Sequence, residues 1–443
     1  HVKSRRQRQM CIRDSYSVTA NNKVVRSGKV SLDIEPQASK EFTVPVGNLK
    51  PQAGTEYFVN FNVTTVEKEP LIPIGHEIAC DQFRLPIESP KKAFKTSGPK
   101  LTVSTNGDNL SASSSKVNFV FNRKTGIVTS YKVDGTEYFS EGFGIQPNFW
   151  RAPTDNDYGN GMPKRLQVWK ESSKNFNVTD ATVTMDGNNA VVNVNYLLPA
   201  GNLYIVNYTI YPSGAVNVAA RFTSTDMDAA QTEVSEATRT ATFTPGRDAA
   251  RKEASKLNVP RIGVRFRLPA SMNQVEYFGR GPAENYLDRN AGSMIGLYKS
   301  TAEELYFPYV RPQENGHHTD TRWVSLSTGK KGLLIQADNT IGFNALRNSI
   351  EDFDDEEATG LPRQWSNFTP EQVANHDEAA AKSVLRRQHH INDITPRDFV
   401  EVCVDLKQQG VAGYDSWGSR PEPAYTLPAN REYNWGFTLI PLK

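Results

Sequence analysis

A run of polar side chains that ends in a glycine is the stretch with the clearest capacity for chemistry: Asp155, Asn156, Asp157 and Gly159. Two carboxylates and an amide could bind a cation. A calcium loop of the EF-hand type, however, would need an oxygen ligand in place of Gly159 and an acid in place of Leu166. Because Pro153 and these side chains favour turns over strands, the sequence predicts a loop and no metal site. An ordinary turn and a functional loop are both compatible with these residues.

Trp417 is the second candidate, within the stretch Gly413-Tyr414-Asp415-Ser416-Trp417-Gly418. The flanking glycines let the backbone bend, so the indole can protrude and offer a flat apolar face to the C–H face of a sugar ring. A tryptophan that closes a protein core is the alternative. No glycine stands two residues before Ser416, so the stretch is not a nucleophile elbow.

Other potential ligands lack the spacing that their chemistry needs. The adjacent pairs His317-His318 and His389-His390 have no partner at helical ligand spacing, so zinc is not predicted. The acidic run 351–357 is typical of a solvated loop, with a calcium site as the alternative. The cysteines are odd in number and far apart, which indicates neither a disulfide framework nor a zinc cluster: Cys11, Cys80 and Cys403.

Composition excludes several classes of protein. A chain of 443 residues is long enough for two or three domains. The net charge of +2 argues against a dedicated nucleic-acid binder, whose basic face raises the charge of the domain. No apolar run approaches the roughly 18 residues of a membrane span, so no membrane partner is expected. The compartment stays open between bacterial cytoplasm and periplasm.

Period-2 alternation predicts antiparallel strands in both halves of the chain. Residues 16–87 are predicted to form a small sandwich with a hairpin that turns at Ser27-Gly28. Its further strands are expected at 42–46, 57–63 and 75–83. Residues 100–443 are predicted to form a large sandwich. Its clearest strands are 204–210 and 216–222, joined as a hairpin, 261–268 with arginines pointing outward, and 400–406.

Two segments fall outside these domains. Residues 88–99 are rich in proline and lysine and poor in apolar side chains, which predicts a linker. Residues 1–15 form a basic polar run without strand alternation or a capped helix. A basic arm for anionic partners and a disordered tail are both possible interpretations. We favour a third, that this run resembles translated sequencing-adapter read-through and is foreign to the protein.

Three stretches carry a resemblance to a known family. Trp150-Arg151-Ala152-Pro153-Thr154-Asp155-Asn156-Asp157-Tyr158-Gly159 closely resembles the opening loop of the C-terminal sandwich domain of the glycoside hydrolase family 2 β-galactosidases. Residues 278–289, leading into 309–316, and then residues 413–418 resemble motifs of the same domain in the same order. Ordered matches over most of the chain make chance an unsatisfactory explanation.

The resemblance implies a fold and two functional sites. The fold is all-β: a truncated immunoglobulin-like sandwich followed by a large antiparallel supersandwich similar to that of galactose mutarotases. In the family, the loop that corresponds to Asp155–Gly159 reaches the active-site mouth, and its glycine lets it move. The tryptophan that corresponds to Trp417 stacks on the sugar of the substrate.

The resemblance also implies what this chain lacks. The family's two catalytic glutamates lie on an upstream barrel domain, and the sequence contains no βα repeat that could build one. No catalytic residue is therefore assigned here, and neither Glu284 nor Glu314 receives that role. Among the acids nearby, three arginines are expected to form a polar network that fixes loops: Arg280, Arg289 and Arg311.

The function that follows is that of a C-terminal part of a retaining β-galactosidase, inactive alone, which acts on terminal β-D-galactosides. Its partners would be the missing N-terminal and barrel domains and other copies in a homo-oligomer. This chain needs no cofactor, whereas the family's barrel domain binds magnesium and sodium. The alternative is a non-catalytic carbohydrate-binding sandwich protein.

Overall fold

The computed structural model describes residues 12–30, 39, 41–66, 68, 70–224, 257–354, 391–415 and 418–443. The chain divides into two compact units, the first reaching Phe94 and including Met294–Leu297, and the second containing Lys95–Ser293 and Tyr298–Lys443. The ladders of both units are antiparallel, and helices are few and short, which confirms the all-β prediction. Within these described ranges, no helix is both long enough and apolar enough to cross a membrane.

The first unit contains a four-stranded sheet in the order β2-β1-β3-β4. These strands are β1 (Ile12–Ala20), β2 (Lys23–Val30), β3 (Tyr57–Thr65) and β4 (Glu77–Arg84). The predicted hairpin turn at Ser27-Gly28 is wrong, because β2 continues through both residues and the turn lies at 21–22. Gly28 instead makes room for a ring, since a Cβ there would stand 2.5 Å from Cε1 of Tyr16.

Two further predictions for this unit are wrong. Strand β1 begins at Ile12 and pairs it with Thr65, so the backbone of residues 12–15 belongs to the sheet and not to a tail. The rest of the predicted tail lies outside the described residues. The alternating residues 42–46 form no strand. Val44 and Val46 pack against the small core of this unit but are not paired with any of its strands. The prediction failed because alternation indicates a buried face and does not show that the segment is hydrogen-bonded to a neighbouring strand.

The second unit begins with a five-stranded meander. Its strands follow one another in sequence order. They are β5 (Thr102–Asn106), β6 (Asn109–Ser113), β7 (Val117–Asn122), β8 (Ile127–Val133) and β9 (Thr136–Glu137). Strand β7 alternates buried and half-buried side chains, which gives the meander one apolar face.

A twelve-stranded sheet forms the rest of the second unit. Its main path runs β10-β15-β20-β19-β21-β14-β13-β12-β11, while β16 pairs with β17 and β18, and β18 with β19. The strands before residue 225 are β10 (Gln146–Asn148), β11 (Asn177–Asp186), β12 (Asn189–Leu197), β13 (Leu203–Ile210) and β14 (Val216–Thr223). Those after residue 256 are β15 (Arg261–Pro269), β16 (Gln274–Gly281), β17 (Met294–Thr301), β18 (His318–Ser327), β19 (Gly332–Leu346), β20 (Phe399–Gln408) and β21 (Tyr433–Leu442).

The two sheets of this unit share one core. The predicted hairpin is confirmed, since β13 and β14 pair from Leu203 opposite Thr223 to Ile210 opposite Val216. The alternating aromatic and aliphatic residues of β13 are buried as expected. Across the layers, the ring of Phe119 on β7 lies 5.6 Å from that of Tyr208 on β13. The packing of one apolar face on another explains why the alternation in both sheets is so regular.

The outward orientation predicted for the arginines of β15 is wrong for two of them. Arg261 and Arg265 are both buried. Strand β15 lies between β10 and β20, so it is an interior strand of the sheet. Arg265 is stabilised by carboxylates, with Glu351 at 2.8 Å and Glu401 at 3.4 Å. The polar face of this strand is therefore covered by charged partners and not by water.

The turn between β13 and β14 gives a test of this packing. Gly214 has a φ of +98°, and a Cβ there would lie 2.6 Å from Cγ1 of buried Val133. Gly187 has a φ of +57° and open space around it. We expect Gly187→Ala to cost about 1 kcal/mol of unfolding free energy, and Gly214→Ala about 2–4 kcal/mol, because overpacking adds to backbone strain. Urea denaturation measures both, and equal losses would contradict the packing described.

Candidate functional site

The predicted acidic loop is a short helix, α1 (Asp155–Gly159). Thr154 is its N-cap and accepts a hydrogen bond from the Asp157 backbone N–H at 3.1 Å. The Asp157 carboxylate accepts one from the Thr154 backbone N–H at 3.0 Å, which completes a capping box. The prediction of a loop missed this pattern because aspartate and asparagine also favour turns. Helices α2 (Met162–Arg165) and α3 (Gln167–Ser172) follow.

Arg151 holds helix α1 against the segment that follows β20. Its side chain is fully buried, and its guanidinium reaches both carboxylate oxygens of Asp157 at 3.1 and 3.0 Å. The same guanidinium donates to the backbone carbonyls of Gln409 at 2.8 Å and Gly410 at 3.2 Å. Since a buried charge without partners is costly, these contacts fix the two segments relative to each other.

Helix α1 also contacts the stretch that contains the candidate tryptophan. The side-chain amide of Asn156 donates to the carbonyls of Val411 at 3.1 Å and Ser419 at 2.8 Å. A Cβ added at Gly159 would stand 3.3 Å from Cα of Gly418, and one added at Gly418 would stand 2.5 Å from the carbonyl carbon of Gly159. The two backbones are therefore in direct contact, so neither position accommodates a side chain without movement.

Trp417 itself lies outside the described residues, as does Ser416. The residues on either side of this pair are described. The Tyr414 backbone N–H donates to the Ser419 hydroxyl at 3.0 Å, and the Ser419 backbone N–H donates to the Asp415 carboxylate at 3.2 Å. These bonds join Tyr414 and Asp415 to Ser419, and Gly418 lies against helix α1.

The exposed side of α1 faces residues 309–316 of the second motif. The Asp155 backbone N–H donates to the Gln313 side-chain carbonyl at 3.1 Å. The Arg311 guanidinium lies 3.5 Å from the Asp155 carboxylate and 3.9 Å from the centre of the Tyr158 ring. Asp155 is exposed and Asp157 is buried. The two acids that the sequence placed together thus have different roles, one at the surface and one inside.

The other two arginines also hold loops, which confirms the predicted polar network. Arg280 pairs with Asp320 at 2.6 Å and donates to the carbonyls of Asn290 and Ser293. Arg289 donates to the carbonyl of Ala412. The neighbouring carboxylate of Asp288 accepts from the backbone N–H groups of Val411 at 3.0 Å and Ala412 at 2.8 Å. Val411 and Ala412 are consequently held by both helix α1 and the second motif.

Glu284 is half-buried, and its carboxylate is occupied by neutral donors. Tyr309 donates its hydroxyl to one oxygen, while the Gly316 backbone N–H at 2.6 Å and the Tyr286 hydroxyl at 3.4 Å donate to the other. Burial raises the pKa of Glu284, and the hydrogen bonds from Tyr309 and Gly316 oppose that rise. Glu284 therefore joins the two parts of the second motif, residues 278–289 and residues 309–316.

A buried polar cluster lies beneath these loops, and the sequence did not predict it. Arg261 is fully buried, with its guanidinium 2.9 Å from Glu314, 3.0 Å from Asn344 and 3.3 Å from Asp405. The Gln408 side chain donates to Glu314 at 2.9 Å and accepts from Arg151 at 3.3 Å. A continuous polar path therefore runs from Arg261 to Arg151.

Burial shifts the acid–base behaviour of this cluster. It raises the pKa of Asp405 to about 7, against the attraction of Arg261. Burial, together with the charge of Arg261, lowers the pKa of His317 to about 3. Neutral His317 then donates from Nδ1 to the Asn344 side-chain carbonyl at 2.9 Å. These groups are enclosed, and their contacts support the loops above them.

Across the described ranges, no group of three or more histidine, cysteine, aspartate or glutamate side chains could hold a metal ion. Part of the acidic run, residues 355–357, and the pair His389-His390 lie outside those ranges. His317 and His318 are both buried.

Comparison with known sequences identifies the family. Residues 113–439 match the family described as Beta galactosidase small chain. The chain belongs to this β-galactosidase small chain family. Residues 11–86 match the family described as Beta-galactosidase, domain 4. The three motifs around α1 therefore lie within a β-galactosidase small chain.

Similar proteins extend beyond this chain. A β-galactosidase from Priestia megaterium is 29% identical over 431 residues, which cover 96% of this chain and 36% of that protein. A β-galactosidase from Streptococcus thermophilus is 24% identical over 432 residues, 96% of this chain and 35% of that protein. The chain thus spans about a third of the length of these relatives. A galactose mutarotase-like protein from Lactobacillus casei is 11% identical with a TM-score of 0.36, covering 75% of this chain and all of that one.

The buried pair beneath α1 gives a prediction about stability. Asp157→Asn keeps the size of the side chain but leaves the enclosed charge of Arg151 without its counter-charge. We expect a loss of about 3 kcal/mol in unfolding free energy. The matched control Asp155→Asn removes an exposed pair and should cost less than about 1 kcal/mol. Similar values for both variants in urea denaturation would contradict the role assigned to Arg151.

His318 gives a prediction about pH. Its ring packs between Tyr277 and Phe343, and burial followed by the charge of His317 lowers its pKa from 6.5 to about 3. The unfolded chain therefore binds more protons than the folded chain between these values, so stability falls as the pH drops below about 6.5. From pH 7 to pH 5, this residue should remove about 2 kcal/mol.

His318→Phe should flatten that dependence by the same amount, while His317 keeps its own contribution in both proteins. The measurement is unfolding free energy of wild type and variant at pH 7, 6 and 5. Parallel curves would show that the His318 ring does not resist protonation in the folded protein.

Proposed function

We propose that this chain is the C-terminal part of a retaining β-galactosidase that hydrolyses terminal β-D-galactosides. The observation that carries the proposal is the pattern of coverage: β-galactosidases match 96% of this chain, but the match takes up only about 36% of their own length. The remaining length would supply the N-terminal and barrel domains of the same polypeptide. Those domains would carry the two catalytic glutamates and the magnesium and sodium ions, and the whole enzyme would be a homo-oligomer.

The contacts of the acids in this chain support such a division of labour. A retaining glycosidase needs two carboxylates about 5 to 5.5 Å apart, one as nucleophile and one as proton donor. Glu314 is buried and bound to Arg261, Asn344 and Gln408. Glu284 is bound by hydroxyl and backbone donors. Neither acid is assigned to the reaction, and in this proposal no catalytic residue comes from this chain.

In this proposal the chain completes the substrate mouth. Trp417 stacks on the sugar of the substrate, and helix α1 forms the adjacent wall through Asp155, Asn156 and Gly159. Asp157 of the same helix is buried and holds it to Arg151. Contact between Gly159 and Gly418 supports the pairing, because it joins α1 to a residue next to Trp417 in sequence. The bonds from Asn156 and Arg151 then set the distance between the wall and the loop.

The test is hydrolysis of a chromogenic β-galactoside by the purified 443-residue chain, free of host β-galactosidase. We expect no turnover above the blank. The same chain expressed behind its upstream coding sequence should be active. In that longer protein, Trp417→Ala should lower kcat/KM about tenfold, since the loss of one stacked ring costs roughly 1.4 kcal/mol. Trp323→Phe, on β18, serves as the control.

Sustained turnover by the 443-residue chain would place the carboxylate pair within it and overturn the division of labour. A carbohydrate-binding protein without catalysis would instead bind galactose saturably as the 443-residue chain, lose that binding in Trp417→Ala, and gain no activity from the upstream sequence. Fluorescence titration with galactose separates the two outcomes.

A further inference from the structure

A cleft of about 320 Å³ opens between α1, α2 and the segment that follows Gly418. Its walls carry Asn160, Arg165, Gln409, Arg420 and Thr426, together with one face of Asp157. Volumes of this size lie at the lower end of those that hold small molecules. The walls are polar, and the residues that set their charge are two arginines and one aspartate.

The positive charge of this cleft is not balanced within the described part of the chain. Arg165 donates from Nη2 to the side-chain carbonyl of Asn160 at 3.2 Å, but its Nε is shielded from solvent and has no acceptor there. Burial lowers the pKa of Arg165, and the charge of Arg420 lowers it further. Two like charges thus face one space, where each disfavours the other.

The one carboxylate on the wall is already used. Both oxygens of Asp157 accept hydrogen bonds from Arg151, and one also accepts from the Thr154 backbone N–H. Asp157 attracts Arg165 at longer range but makes no ion pair with it. The neutral residues around the cleft offer amide and hydroxyl donors, which can complete the coordination of an anion.

We propose that this cleft binds a small oxyanion, a sulfate, phosphate or carboxylate group, held by Arg165 and Arg420. Guanidinium groups recognise such groups through paired N–H donors, and an anion between the two arginines removes their mutual repulsion. The cleft is large enough for a free oxyanion, and it also has room for a sugar-sized molecule that carries one. This site goes beyond the proposed galactoside mouth and does not depend on it.

The test is isothermal titration of the 443-residue chain with sodium sulfate, with ionic strength held constant by sodium chloride. We expect saturable binding of one sulfate per chain. Arg420→Gln, an exposed position, should weaken binding roughly tenfold or more, since it removes charged hydrogen bonds. Arg165→Gln should act in the same direction. Arg123→Gln, at an exposed arginine of the β7–β8 turn, is the matched control and should bind as wild type does.

Thermal unfolding gives a second readout. Sulfate stabilises any folded protein because it is excluded from the protein surface. The resulting rise in Tm should therefore be the same in wild type and in all variants. Wild type and Arg123→Gln should gain an additional rise in Tm that saturates with sulfate, and Arg420→Gln should lack it. Without sulfate, Arg420→Gln should unfold at or above the wild-type temperature, because the substitution relieves like-charge repulsion.

Further arms distinguish the source of the oxyanion. Phosphate and acetate test the free ions, and galactose 6-sulfate is compared with galactose and with sulfate. Tighter binding of the sulfated sugar indicates an anion carried on a sugar, and equal binding of sulfate indicates a free ion. Heats that fail to saturate, or sulfate binding that is unchanged in both Arg165→Gln and Arg420→Gln, would overturn the proposal.

Discussion

The enclosed guanidinium of Arg151 is the constraint on which the candidate site depends. A full positive charge inside a sandwich is tolerated only where several acceptors converge on it. Here the acceptors come from α1 and from the two residues after β20, which are far apart in sequence. Because the guanidinium of Arg151 needs all of these acceptors, it brings the first motif together with Gln409 and Gly410, which lead to the third motif at 413–418.

The same logic extends inward through Gln408 and Glu314 to Arg261. Such buried networks contribute little net stability, because the cost of desolvating the charges offsets their attraction. Their effect is geometric. Each member has few alternative partners, so a shift of one strand would leave a charge without its counterpart. Strands β15, β19 and β20 are thus held in one register beneath the loops, while the apolar core beyond them supplies most of the driving force.

Alternation along the chain predicted the hairpin of β13 and β14 because an apolar layer covers only one face there. The same pattern misplaced Arg261, since period-2 alternation assigns a side chain to a face without saying what covers that face. The helix at Asp155 was missed for a local reason: capping and turn formation use the same residues, and the burial of Asp157 opposite Arg151 favours the helix. Partners 53 and 83 positions away, such as Glu314 and Asn344 for Arg261, leave no trace in the local pattern.

The contact between Gly159 of helix α1 and Gly418 is made by main-chain atoms. Because backbone atoms set the distance between these two segments, that distance does not depend on the side chains at neighbouring positions. Side chains beside the contact can therefore be exchanged during evolution while the backbone spacing keeps its dimensions. The backbone contact between Gly159 and Gly418 positions the two segments, while the neighbouring side chains determine which ligand binds. The specificity can therefore change without a change in the fold.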